Sequence, residues 1–195
     1  SASRQQWESA AMSDEPESAM ANVAPFRIYR AATAKDLGEL EIMEYAGLTP
    51  IIAAGLAKAG AAADKDAGNV VKTLFAMPGM SLTYAWFKSG FPLPLHTLDA
   101  DCLYYIVAGL LKLGTEQLGP GDGFFVGCNV PYTYKPGPNG VEVLEFRKTD
   151  KFDIRFMGKT EAYWDKTAGA LAERQDAWTA ERPPHELAGQ MLPAE

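Results

Sequence analysis

The chain has 195 residues, 47% of them hydrophobic, with 25 acidic against 18 basic side chains and a formal net charge of −7. This length and apolar share suit a single globular unit with a sizeable core. The acidic balance argues against nucleic acid or an anionic membrane surface as partner, since both reward clustered Lys and Arg. Two cysteines without close spacing point to a reducing compartment rather than a disulfide framework. The most apolar run, residues 51–63, is interrupted by Lys58 and is too short for a membrane span, and the N-terminus lacks the basic-then-apolar order of a secretion signal. A cytoplasmic protein is expected.

Residues 1–24 are rich in Ser, Ala and Glu with little apolar periodicity, the composition of a mobile tail. Residues 25–30 alternate Phe26 and Ile28 with Arg27 and Tyr29, as a first strand would. Thr33 then precedes a short helix or turn over residues 34–37, weakened by Gly38. At residues 49–60, Thr49 as N-cap, Pro50 at the front and Gly60 near the end mark a helix. Its Ile51, Ile52, Leu56 and Ala59 should lie on the wall of the main body or in a subunit contact. Residues 64–69 read as a loop, and residues 70–75 and 81–88 as strands about a Met77-Pro78-Gly79 turn. In the second strand Leu82, Tyr84 and Trp86 share one side and Thr83, Ala85 and Phe87 the other, and either could point inward.

Residues 90–136 carry alternating apolar positions, Gly and Pro punctuation and the lone His96, which read as short strands of a small barrel. Residues 141–147 form another two-faced strand, with Val141, Val143, Glu145 and Arg147 on one side and Glu142, Leu144 and Phe146 on the other. Glu145 and Arg147 read as a surface ion pair. If that face is inward, Arg147 becomes a carboxylate clamp. Residues 161–178 are helical in composition, and Trp164, Leu171 and Trp178 recur on one face that should pack on the barrel exterior or on a partner subunit. Pro183 and Pro184 stop that helix, leaving an extended tail.

The central stretch resembles the cupin family in the spacing of its two motifs. The first motif places Gly, His-x-His, Glu and Gly where this chain has Gly90, His96, Leu98, Cys102 and Gly109; the second falls on Gly121, Gly127, Asn129, Tyr132 and Pro136, with the turn Gly119-Pro120-Gly121-Asp122 at its head. The resemblance implies an all-β cupin fold, the double-stranded β-helix or RmlC-like jelly roll, with peripheral α-helices near residues 49–60 and 161–180. The implied division is a tail over residues 1–24, a barrel over 25–158 with the helix inserted at 49–60, and a C-terminal helix and tail over 159–195. It also implies a homodimer.

Metal-binding cupins use the two His and the Glu of motif one and the His of motif two, a set suited to divalent iron, manganese, nickel or zinc. Only His96 keeps a place in that set, with Leu98, Cys102 and Tyr132 at the others, and the second His of the chain, His185, lies far off in the C-terminal segment. Leucine has no donor atom, and a phenol titrating near ~10 is a poor ligand. No metal and no other cofactor are therefore expected. If His96 lines the pocket, as the resemblance implies, strand alternation turns Cys102, Tyr104 and Ile106, and Tyr132 with Tyr134, toward the same pocket, with Leu98 on its apolar wall and, if its face is inward, Arg147 as a further ligand contact. Such a pocket suits a small aromatic, carbonyl or carboxylate ligand, although the tyrosines could equally fill the barrel with their hydroxyls paired at its rim. Two functions follow: a metal-free small-molecule binder, or a metal-independent isomerase or lyase with His96 as base and Tyr132 or Tyr134 as acid. A third reading keeps a reduced metal site of His96 and Cys102.

Overall fold

The computed structural model describes residues 25–188. In chain order its elements are β1 (Lys35–Asp36), β2 (Met43–Tyr45), α1 (Pro50–Ala62), β3 (Asn69–Met77), β4 (Met80–Phe87), β5 (His96–Leu98), β6 (Cys102–Leu113), β7 (Glu116–Leu118), β8 (Gly123–Val126), β9 (Lys135–Arg147), β10 (Phe152–Phe156), α2 (Glu161–Thr179) and α3 (Pro184–Ala188). The larger sheet runs β1-β3-β4-β9-β6-β7, with β8 also bonded to β6, and the smaller runs β2-β10-β5. Among the described residues only the β10–β2 pairing is parallel. The architecture is an all-β jelly roll with peripheral helices. The tail over residues 1–24 lies outside the described residues, among which no helix is long and apolar enough to cross a membrane.

Strand β9 sits between β4 and β6 and decides which faces look inward. Val141, Val143, Glu145 and Arg147 are all buried on its inner side, while Phe146 on the outer side is exposed. Register carries the choice to the neighbours: Phe87, Ala85 and Thr83 lie opposite Val141, Val143 and Glu145, and are buried with them. The expected surface ion pair is therefore an internal one. Glu145 and Arg147 share a face with two fully buried valines, and period-2 geometry takes them inside.

Strand β6 bends at a bulge around Gly109, where φ is +78° and the register shifts on both sides. A Cβ at Gly109 would stand 2.3 Å from the Gly140 carbonyl oxygen. The β3–β4 hairpin instead turns on Pro78 and Gly79, with Gly79 at φ +87° and nothing near its absent Cβ.

Helix α1 is capped by the Thr49 hydroxyl, which accepts from Ile52 N at 3.3 Å, and α2 by the Thr160 hydroxyl, which accepts from Tyr163 N at 3.2 Å. The two helices pack on each other rather than independently on the barrel. Gly55 of α1 lies so close to the Trp164 ring that a Cβ there would be 2.1 Å from it. Trp164, Leu171 and Trp178 are buried; the Trp178 indole donates to Ser89 O at 2.9 Å and the Trp164 indole to Gly158 O at 3.0 Å, which ties α2 to the chain on either side of the sandwich.

Three local expectations are corrected. Residues 25–30 join no sheet, and Phe26 and Ile28 are 80% and 67% exposed; alternation needs a free edge, and the edge of β3 is already taken by Lys35 and Asp36 of β1. Instead Arg27 donates to Ala76 O at 3.2 Å. The short helix after Thr33 is replaced by two single 3₁₀ turns flanking β1. The expected extended tail after Pro183 contains α3, with Pro184 in its first turn, where its fixed φ suits a helix start. Glu142, buried on the outer face of β9, anchors α3 by accepting from His185 N at 2.8 Å and bonding His185 Nδ1 at 2.7 Å.

The two glycines give a paired test. Gly79→Ala forces a left-handed residue into open space and should cost about 1–2 kcal/mol, lowering the thermal midpoint by about 2–4 °C per kcal/mol. Gly109→Ala adds a backbone collision to the same strain and should lower it distinctly further. Equal shifts in differential scanning calorimetry would contradict the close approach of β6 and β9.

Candidate functional site

A cavity of about 510 Å³ opens between the two sheets. Its wall combines Phe87 of β4, Leu98 of β5, Phe152, Ile154 and Phe156 of β10, Leu56 of α1 and Trp164 and Leu171 of α2, so its character is set by apolar and aromatic surface. A few polar groups converge on it: His96, Tyr104, Tyr132, Tyr134, Glu145 and Arg147. The size and the sparse polar set are those of a small-molecule pocket.

His96 begins β5, and its backbone exchanges hydrogen bonds with Tyr132: His96 N donates to Tyr132 O at 3.2 Å and Tyr132 N to His96 O at 3.0 Å. This bridge brings the two motif positions together, with ring centroids 4.4 Å apart. His96 Nδ1 lies 2.7 Å from Pro94 O. A carbonyl can only accept, so Nδ1 carries the proton and a neutral ring keeps its lone pair on Nε2. The Tyr132 hydroxyl bonds the Tyr104 hydroxyl, Tyr104 stacks on Phe124 at 4.4 Å, and Tyr134 meets Phe87 edge-on at 5.9 Å. On β9 the Arg147 Nη2 donates to the Glu145 carboxylate, its Nη1 lies 3.4 Å from Thr83 Oγ1, and its guanidinium carbon sits 4.2 Å above the centre of the Phe152 ring.

Burial governs the titration of these groups. It lowers the His96 pKa below the ordinary histidine value, against the opposing pull of the Pro94 carbonyl and Glu145. Burial, and after it the Glu145 charge, hold the hydroxyls of Tyr104, Tyr132 and Tyr134 far above ordinary phenols, so all three are proton donors near neutrality. Burial also pushes the Cys102 thiol up to about 12, although Arg147 pulls the other way. Arg147 itself loses solvation, yet the neighbouring Glu145 carboxylate keeps it fully charged.

The structure gathers His96, Leu98, Tyr104, Tyr132, Tyr134 and Arg147 around the cavity and leaves Cys102 out of its wall. Cys102 shares the inward face of β6 with Tyr104 and lies opposite Arg147 and Val126; the longer Tyr104 and Arg147 side chains reach the cavity where the thiol does not. Among the frame positions Leu98 offers no donor atom and the Tyr132 hydroxyl is bonded to that of Tyr104, and among the described residues no three His, Cys, Asp or Glu side chains are grouped. Sequence reasoning missed Glu145 and Phe152 as parts of the site. The first was legible from its spacing of two from Arg147 once the inward face was fixed; nothing in the sequence marked the second.

Two measurements check this arrangement. The unfolded chain binds a proton at histidine near pH ~6.5, the folded chain at His96 only at a lower pH. Between those values the unfolded state holds more protons, so stability rises with pH and is lost as pH falls through ~6.5. Denaturant unfolding should show this slope in the wild type and a smaller one in His96→Gln; identical slopes would contradict a buried neutral imidazole. A thiol reagent should label exposed Cys128 in the native protein and buried Cys102 only on unfolding, and rapid native labelling of both would place Cys102 wrongly.

No family model matches the chain, and no curated protein matches its sequence. Among solved structures it is similar to the polyketide cyclase RemF from Streptomyces resistomycificus, with 18% identity over 53% of this chain and 84% of that one at a TM-score of 0.46. It is similar also to an RmlC-like cupin from Shewanella frigidimarina, with 21% identity over 45% of this chain and 81% of that one at a TM-score of 0.41. A third is KdgF from a Halomonas species, with 21% identity over 44% and 83% of the two chains at a TM-score of 0.36.

Proposed function

We propose that this chain binds a small aromatic, carbonyl or carboxylate ligand in the cavity between its sheets, without a metal. The observation that carries the reading is the cavity itself: about 510 Å³ of mostly aromatic and aliphatic wall onto which an imidazole and three phenols converge. Ring burial supplies the affinity, at ~25 cal/mol per Å² of apolar surface removed from water. The phenols and imidazole fix orientation.

A second reading, a metal-independent isomerase or lyase, is favoured by one observation. His96 is locked by Pro94 O into the tautomer that leaves Nε2 as an acceptor, with the protonated Tyr132 beside it. That pair could take a proton from the carbon next to a carbonyl and hold the resulting oxygen.

Tyr132→Phe separates the two. Calorimetric titration with a panel of aromatic carbonyl compounds should show saturable binding that weakens by about 0.5–1.5 kcal/mol in the variant, the net worth of one neutral hydrogen bond. An enzyme using that phenol as its acid would lose ~10²–10⁴-fold in turnover with binding nearly intact. Absence of any saturable ligand in the panel would count against the binding reading, and turnover that survives Tyr132→Phe at full rate would remove the acid role.

A further inference from the structure

The cavity wall contains five charged side chains, of which Asp64, Lys65 and Asp66 are exposed and only Glu145 and Arg147 are buried. The two buried charges answer each other. Arg147 Nη2 donates to Glu145, Nη1 leans on Thr83 Oγ1 at 3.4 Å, the guanidinium covers the Phe152 ring, and the buried Nε donates to nothing. The charge of the arginine is thus cancelled inside the protein while one of its donors is left over.

An uncompensated arginine in such a place would select a carboxylate, which its planar fork grips in two parallel bonds. Here the inner carboxylate already holds one arm of the fork. An incoming anion would bring a second negative charge beside buried Glu145, where screening is weaker than in bulk water, and an incoming cation would meet Arg147 in the same way. A neutral ligand leaves the ion pair intact. If it carries a carbonyl or amide oxygen, that oxygen can accept from the tyrosine hydroxyls that line the cavity. We propose that the cavity selects a neutral, flat ligand bearing a hydrogen-bond acceptor, an aromatic ketone, aldehyde or amide, and that Glu145 is the residue that excludes carboxylates. This rests on the small-molecule reading above and narrows its ligand class. A purely structural pair, holding β9 to β4 and nothing more, would have no influence on the charge of what binds.

The test uses three probes of nearly one shape: benzamide, benzoate and benzamidinium, titrated calorimetrically into the wild-type chain. Benzamide should bind tighter than either ion by about tenfold or more, ~1.4 kcal/mol. Glu145→Gln frees the Arg147 charge, and benzoate should gain about tenfold or more relative to benzamide; Glu145→Asp keeps the negative charge and should keep the wild-type ranking. Benzoate or benzamidinium binding first in the wild type overturns the proposal while leaving a small-molecule pocket in place. An unchanged ranking in folded Glu145→Gln also overturns it, because the exclusion would not come from Glu145. Should Glu145→Gln fail to fold, the wild-type ranking and its retention in Glu145→Asp decide, and a Glu145→Asp chain that prefers benzoate contradicts the proposal. Saturable binding of none of the three would overturn both this inference and the reading on which it rests.

Discussion

The register of β9 between β4 and β6 is the constraint from which the rest of the molecule follows. Side chains on a strand alternate with a period of two, so a slip by one residue would exchange its whole inner and outer sets. Val141 and Val143 resist that slip from the core side, where they are fully buried. Glu142 resists it from the other, where its carboxylate accepts from the Tyr84 hydroxyl at 2.5 Å and from His185. Few strands bury a charged group on both faces, and each face penalises the slip separately, since a displaced carboxylate or guanidinium would be left without its partner. Cavity, ion pair and C-terminal helix are in this sense consequences of one alignment.

Much of this was legible in the sequence, and the unevenness has physical causes. The start of α1 was readable because capping is local: Thr49 before Pro50 acts on the backbone N–H three residues on, whereas α2 was legible from its composition and the seven-residue spacing of Trp164, Leu171 and Trp178. The spacing that set Tyr132 opposite His96 was readable because turn residues fix where strands begin. The inward faces of residues 81–88 and 141–147 were not, because both faces of each are amphipathic and burial is a property of what lies across the sheet. For the same reason Glu145 and Arg147 passed for an exposed pair. Cys102 shows a subtler limit: alternation gives the side of a sheet on which a residue lies, and says nothing of how far its side chain reaches.

The frame positions divide into two kinds that answer to different forces. Gly90, Gly109 and Gly121 all have positive φ, a backbone requirement that the side-chain chemistry of the site does not touch. Leu98, Cys102 and Tyr132 occupy places where only the direction of the Cβ is imposed by the fold, and what fills those places can change without moving a strand. This is why spacing was a sound guide to architecture and a poor one to chemistry, which had to be read from the hydrogen bonds of the groups present.

The bond between the Tyr104 and Tyr132 hydroxyls has one more consequence. Two neutral phenols joined in this way own two protons, and their mutual bond uses one. The other is carried by whichever oxygen accepts, and the choice between the two arrangements is free until something outside the pair makes it. A ligand oxygen placed against Tyr132 draws the chain of donation from Tyr104 through Tyr132 outward; a ligand hydroxyl in the same spot reverses it. The pair is a short reversible wire, whose polarity is written by the molecule it meets, and each link polarises the next where both rings are buried.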